Sequence, residues 1–197
     1  MNGRQDGHHG PGAHAHHSMR AEQDPTPLLQ DIGITRGMTV ADLGCGYGFY
    51  TLPISLITGN TGLVYAVDSS RYSLEDLSEN LGRNMALNGK YSKITALERD
   101  ISDTGIAESS VDVAFFANVF HDVEDKKKFI GEVKRILKPS GIAVDLDWHN
   151  GRTEFGPPMG LRVSEEEAKR IFLSNGMKLQ RSIEVAPYHY CLVFSKA

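Results

Sequence analysis

Cysteine is scarce in this chain of 197 residues, which holds two, Cys45 and Cys191, far apart and outside any metal-binding spacing. That excludes a disulfide framework and a zinc site, so no resident metal is expected, and a reducing compartment fits such usage. Long apolar runs are also missing. No stretch approaches the ~20 residues that a membrane-spanning helix needs, and the amino terminus lacks the apolar core of a signal peptide, so a soluble, cytoplasmic protein with no membrane span is expected. Neither sign of charge dominates: 21 Lys and Arg stand against 25 Asp and Glu, for a net charge of −4. There is thus no global electrostatic case for a nucleic-acid partner. The basic residues that do cluster, Lys126 to Lys128 with Lys134, Arg135 and Lys138, fall in a stretch of helical period and read as a solvated helix face. Internal repeats are absent, the length suits one domain, and nothing sets an oligomeric state.

Branched aliphatic residues are almost absent from positions 1–23, which are rich in Gly and polar residues and hold five of the eight histidines, His8, His9, His14, His16 and His17. Such a segment buries too little apolar surface to offset the entropy of ordering, so a flexible His- and Gly-rich arm is expected over 1–23, ahead of a single domain over 24–197. Histidine-rich tracts bind transition metals loosely.

From Pro25 onward two apolar rhythms alternate. Short branched-aliphatic runs at Thr39 to Leu43, Leu63 to Val67, Ile94 to Leu97, Val111 to Ala117 and Ile142 to Leu146 read as buried strands. Between them the apolar residues recur at helical steps, over Gly48 to Leu56, Ser73 to Leu87 and Asp125 to Leu137. Strand and helix alternation at this spacing predicts parallel strands joined by right-handed crossovers, with helices on both faces. Ser164, followed by Glu165, Glu166 and Glu167, reads as a capped helix start, and Gly176 as its end. Lys178 to Val185 and Tyr190 to Phe194 are then separated by a link that is too short for a crossover and predicts an antiparallel hairpin.

The stretch Asp42-Leu43-Gly44-Cys45-Gly46-Tyr47-Gly48-Phe49 follows the first strand. Glycines there let the backbone adopt unusual angles and let a ligand touch the main chain. The dinucleotide fingerprint wants a third glycine where Phe49 stands, and no Gly-Lys-Ser or Gly-Lys-Thr follows for a phosphate loop. Asp42 is a poor neighbour for a pyrophosphate and a good one for a cation. Asp68 ends the second strand, where a carboxylate accepts from both hydroxyls of a ribose. Asp100 and Ile101 offer an acid and an apolar side chain where an adenine would lie. Together these outline an adenosine joined to an amino-acid-like cation. The plainer readings are a loop brace for Asp42 and a turn-forming aspartate for Asp100.

On these residues the chain resembles the class I S-adenosylmethionine-dependent methyltransferases, over essentially all of 25–197. The segment Ala117 to Asp125, the later Lys138-Pro139-Ser140-Gly141 and Gly156-Pro157-Pro158 are similar to the UbiE-like, or type 11, subgroup. The resemblance implies a Rossmann-like α/β fold, a mostly parallel seven-stranded sheet with a terminal antiparallel hairpin, and S-adenosyl-L-methionine as cofactor. It implies that main-chain groups around Gly44, Cys45 and Gly46 hold the methionyl portion and that Asp42 sits near its ammonium. Asp68 with Ser69 would take the ribose, Asp100 with Ile101 the adenine, and Asn118 would complete the cofactor side. The acceptor implied is a small molecule methylated at oxygen, nitrogen or an activated carbon. A cofactor-binding protein without turnover and a protein methyltransferase stay open beside it.

Methyl transfer needs alignment and, for a protonated acceptor, a base. His121 is the candidate, with Asp122 or Glu124 to orient or charge it; the competing reading has His121 packing beneath the cofactor loop. Asp147, Trp148 and His149 cluster at the end of the fifth strand, either as an acceptor wall or as shielding of the sheet. Tyr188, His189 and Tyr190 read as structural or rim residues of the terminal hairpin.

Overall fold

In the computed structural model, residues 24–85, 90–153, 156–185 and 187–197 are described; the arm expected over 1–23 lies outside them. A short helix, α1 (Thr26–Asp31), precedes β1 (Thr39–Leu43), α2 (Thr51–Thr58), β2 (Leu63–Asp68), α3 (Arg71–Met85), β3 (Lys93–Glu98) and β4 (Val111–Ala117). Then come α4 (Lys126–Ile136), β5 (Leu137–Trp148), α5 (Glu165–Ser174), β6 (Met177–Val185) and β7 (His189–Lys196). The strands form one sheet of seven in the order β3-β2-β1-β4-β5-β7-β6. Every pairing is parallel except those of β7, which runs against both β5 and β6. The Rossmann-like sheet with a terminal antiparallel hairpin is therefore present.

Alternation along the strands sorts side chains to two faces. On one, Val40, Phe115, Val144 and Leu146 pack with Leu29 of α1 and Ile54 of α2. On the other, Ala41, Phe116, Ala143 and Tyr190 meet Phe129 and Val133 of α4 and Phe172 of α5. The rings of Phe116, Phe172 and Phe194 stack in series, with centroids 6.0 Å and 4.4 Å apart.

Element boundaries depart from the sequence expectation most clearly at three places. The second helix begins at Thr51, not Gly48, because Gly44, Gly46 and Gly48 have φ of 74°, 53° and 91°, which no α-helix accommodates. Pro53 then falls in its first turn, where a missing N–H costs nothing. The fifth strand is longer than Ile142 to Leu146. It starts straight from α4, and Lys138-Pro139-Ser140-Gly141 bulges out of the ladder between the pairs Val111–Leu137 and Val113–Ile142. Gly141 is needed there because a Cβ would stand 2.9 Å from the carbonyl oxygen of Val111. The last strand runs longer than the pattern at both ends and β6 by Met177 at its start, with a further irregularity between Leu179 and Arg181.

The clustered basic residues of α4 and the start of β5 are mostly engaged within the chain. Lys126 donates to the carbonyl of Val123, Lys134 to that of Asn175, Arg135 pairs with Glu132, and Lys138 with Asp112. At the helix starts, Asp125 accepts from Lys128 N at 2.9 Å and Ser164 from Glu167 N at 3.2 Å. Among the described residues no helix is long and apolar enough to cross a membrane.

Candidate functional site

Strand order reverses between β1 and β4, and in an open α/β sheet that switch point opens the crevice where ligands bind. The glycine loop lies across it. Gly44 N and Cys45 N donate to Val67 O at 2.8 and 3.0 Å, lashing the loop to β2. Each glycine serves a different need. A Cβ on Gly44 would strike Val119, and one on Gly48 would fall inside Leu77 of α3, whereas one on Gly46 would meet nothing within 4 Å. Gly46 therefore presents an open Cα face to the crevice, with its N–H held by Asp68. Asn80 of α3 donates to Tyr47 O at 3.0 Å and holds the loop from the far side.

Two carboxylates flank this loop. Asp42 is buried at the tip of β1, and Thr51 Oγ1 donates to its Oδ2 at 2.6 Å. Burial, which outweighs that hydrogen bond, together with the charge of Asp68 pushes its pKa up to about 7. Asp68, half-buried at the tip of β2, accepts from Gly46 N at 2.9 Å and from Ser70 N at 2.8 Å. It thus spans from the loop to the start of α3, where Ser70 Oγ accepts from Ser73 N. Ser69 beside it is exposed. Asp100 is exposed after β3 and accepts from Ser102 N at 2.6 Å in a tight turn, while the half-buried Ile101 packs against the core. The Cys45 thiol is buried and its pKa raised by that burial and by Asp42 and Asp68, so it is no nucleophile.

These residues fit an adenosyl sulfonium better than a dinucleotide. The loop leaves open space beside the Gly46 Cα, and a carboxylate has about four lone-pair sites, so Asp68 and Asp100 keep acceptor capacity beyond the backbone bonds they already make.

A second cluster lies where β4 and β5 end. Asn118 takes a left-handed backbone with φ of 58°, and its N–H bonds Leu146 O at 2.7 Å. The chain then makes a 3₁₀ turn over Phe120–Asp122. The carboxylate that orients His121 is that of Asp147, 26 residues on, and not the expected Asp122 or Glu124. Nδ1 of His121 lies 2.7 Å from Asp147 Oδ1, and the His121 backbone N–H donates to Oδ2 at 3.0 Å. Trp148 N adds a third donor to Asp147 at 2.7 Å. Asp122 stands 3.4 Å from Nε2 with its side chain largely exposed. The His121 side chain is 3% exposed. Burial alone would lower its pKa, but the bond to Asp147 and the charges of Asp147 and Asp122 prevail and raise it.

Asp147 is thus engaged in the fold rather than presented to an acceptor. Trp148 is also buried, against Tyr188, His189, Gly156 and the guanidinium of Arg162, 5.3 Å from its ring. His149 is half-buried, with its N–H on Tyr188 O and its ring 5.8 Å from that of Tyr190. Arg162 donates to Pro157 O, His149 O, Gly151 O and Thr153 Oγ1, tying the loop after β5 together. Asp145, fully buried two residues before Asp147, has no partner for either oxygen among the described residues. Burial, reinforced by the charge of Asp147, raises its pKa well above the carboxylate range and keeps it neutral. Thr51, Arg162 and His189 carry no local motif that marks them in the sequence. Among the described residues no three His, Cys, Asp or Glu side chains gather as a metal site.

Comparison with known proteins agrees with this geometry. Residues 41–144, more than half of the chain, match the family described as methyltransferase domain. The demethylmenaquinone methyltransferase of Staphylococcus aureus is 28% identical over 120 residues, covering 61% of this chain and 47% of that protein. The 2-phytyl-1,4-naphtoquinone methyltransferase of Trichormus variabilis is 30% identical over 119 residues, covering 59% and 49%. The chain thus matches about half the length of these curated relatives. A solved SAM-dependent methyltransferase from Aquifex aeolicus superposes with a TM-score of 0.81 at 29% identity, over 88% of this chain and 90% of that one. From the sheet order, the glycine loop and these matches together, the chain belongs to the methyltransferase domain family, in its class I, UbiE-like form.

Proposed function

We propose that the protein transfers a methyl group from S-adenosylmethionine to a small aromatic acceptor of the quinol type. The observation that carries the reading is a left-handed glycine loop, open at Gly46, set between carboxylates at the tips of β1 and β2. The Gly44 to Gly46 main chain and Asp42 would hold the methionyl end, Asp68 with Ser69 the ribose, Asp100 with Ile101 the adenine, and Asn118 the rim toward β4. The cofactor supplies an electrophilic methyl whose leaving group departs as a neutral thioether, so no general acid is required. The chain's own contribution is alignment and exclusion of water. The acceptor class comes from the relatives, whose names give demethylmenaquinone and 2-phytyl-1,4-naphtoquinone as what they methylate.

His121 enters this reading as a positioning residue. Its side chain is buried, and both Nδ1 and the backbone N–H are taken up by Asp147, so it serves to hold the turn rather than to meet an acceptor. Its bonds fix the turn after β4 against the end of β5, and so fix Asn118 and the loop that Val119 presses against Gly44.

Transfer of tritiated methyl from S-adenosylmethionine to 1,4-dihydroxynaphthalene tests the proposal. Label in the naphthol product supports it. Binding of the cofactor with no label in this probe, in a cell extract or in protein points to a binding protein instead. Label in protein alone makes it a protein methyltransferase.

A further inference from the structure

Trp148 and His189 stand directly opposite each other on β5 and β7, and their rings touch, with centroids 4.2 Å apart at 44°. Trp148 is 1% exposed and His189 2%. Among the described residues neither the indole Nε1 nor the imidazole Nε2 has a hydrogen-bond partner. Two buried polar atoms side by side and unsatisfied are costly to a fold, and Phe or Leu at either position would avoid the cost.

Their place in the sheet gives the cost a use. Trp148 continues the alternation of Val144 and Leu146, whose side chains pack toward α1 and α2. Asp42 faces the same side, since its partner is Thr51 of α2. Only β4 separates β1 from β5, about 10 Å sideways, and the register sets Trp148 four residues beyond the level of Asp42, roughly 13 Å further along, so the pair stands at the outer lip of the crevice that the glycine loop opens. His121 and Asp147 lie on the other side, with Tyr190 and the residues of α4.

The chemistry of the pair is selective. An indole N–H can only donate. Burial pushes the His189 pKa down to about 4, so its ring is neutral and carries one acceptor nitrogen. A group that accepts from one and donates to the other is a hydroxyl. Tyr188 stacks near the indole at 6.3 Å and Gly156 lies against its ring, while the Arg162 guanidinium stands 5.3 Å from it, so the surroundings are flat, with one cation beside them.

We infer that Trp148 Nε1 and His189 Nε2 are the polar reading heads of the acceptor subsite, and that they recognise a hydroxyl on a planar aromatic ring. This rests on the methyltransferase reading above and narrows its acceptor to a hydroxyaromatic. Gly156 and Arg162 lie against the indole, so a ligand that reaches the pair displaces them.

Trp148 is the only tryptophan, so the full chain labelled with ¹⁵N shows one indole N–H resonance. With saturating S-adenosylhomocysteine present, 1-naphthol, 1-methoxynaphthalene and naphthalene are titrated against that signal. The expected result is a marked shift with 1-naphthol and an affinity at least about tenfold above that of naphthalene, because a site built to bond a hydroxyl rejects the analogue that lacks one. The methoxy compound, which accepts but cannot donate, falls between, and His189→Phe reduces 1-naphthol to its level. Equal affinities for the three compounds, an unmoved indole signal, or a 1-naphthol preference that survives His189→Phe overturns the inference. Calorimetry of S-adenosylhomocysteine on the same sample separates the two failures: its absence of binding removes the methyltransferase reading, whereas binding without naphthol discrimination removes only the subsite.

Discussion

At the scale of single residues, Asp42 carries the clearest consequence. An acid whose folded pKa is raised binds its proton more tightly when folded, so folding draws in a proton between the ordinary aspartate value and about 7. The unliganded protein therefore loses stability as pH rises through that window, by up to roughly 4 kcal/mol, at about 1.4 kcal/mol for each pH unit crossed. A ligand ammonium reverses the preference and expels the proton. The affinity for S-adenosylhomocysteine is expected to climb with pH up to about 7 and then level off, with proton release on binding seen by calorimetry in buffers of different ionisation enthalpy. Asp42→Asn flattens the profile. The carboxylate and its strand position were legible from VADLGCG alone; its burial under Thr51 was not, since a hydroxyl nine residues on has no motif to mark it.

At the scale of elements, the glycine loop and the turn after β4 each separate folding from binding. Gly48→Ala places a Cβ into Leu77 at φ of 91° and is expected to destabilise by about 2 kcal/mol or more, from strain and overpacking together. Gly46→Ala meets no neighbour, so only the left-handed backbone, about 1 kcal/mol, opposes it, yet the methyl intrudes where the ligand approaches. Chemical denaturation and cofactor titration distinguish them: Gly48→Ala lowers the midpoint most, whereas Gly46→Ala keeps most of the stability and loses at least tenfold in affinity, roughly 1.4 kcal/mol.

In the turn, His121→Ala strands the buried Asp147 carboxylate and is expected to cost about 3 kcal/mol. A raised histidine pKa means that the stabilisation is complete below the unfolded value near 6.5 and is lost as pH rises through the folded value. The gap between wild type and His121→Ala therefore narrows in alkali, a trend that denaturation curves across pH will register. A gap that does not change with pH would show that the ion pair is not the source. The strands were legible because branched aliphatic runs leave no other reading. The start of β5 was hidden by Lys-Pro-Ser-Gly, whose turn chemistry is spent on a bulge, and the partner of His121 was hidden because only the sheet register brings residue 147 beside it.

For the whole molecule, a sheet of order β3-β2-β1-β4-β5-β7-β6 sets the glycine loop and the β5 end on either side of β4. The alternation of periods foresaw parallel strands with crossover helices, and the short final link foresaw the antiparallel last pair, while the seven-stranded sheet was implied by the family resemblance. Which side chains face each other across the crevice was not legible. Strand order and face, which decide that Trp148 meets His189 and that Asp147 meets His121, depend on contacts between residues far apart in sequence. A ligand bound across the loop ties β1, β2 and the turn after β4 together, and at about 100 times its Kd it adds about 2.7 kcal/mol to global stability. The most direct test is calorimetric titration of the full chain with S-adenosylhomocysteine and with NAD, on wild type and Asp68→Ala. The expected result is saturable binding of the first alone, weakened at least tenfold, or roughly 1.4 kcal/mol, in the variant. Tight binding of NAD, or an affinity for S-adenosylhomocysteine indifferent to Asp68, would contradict it.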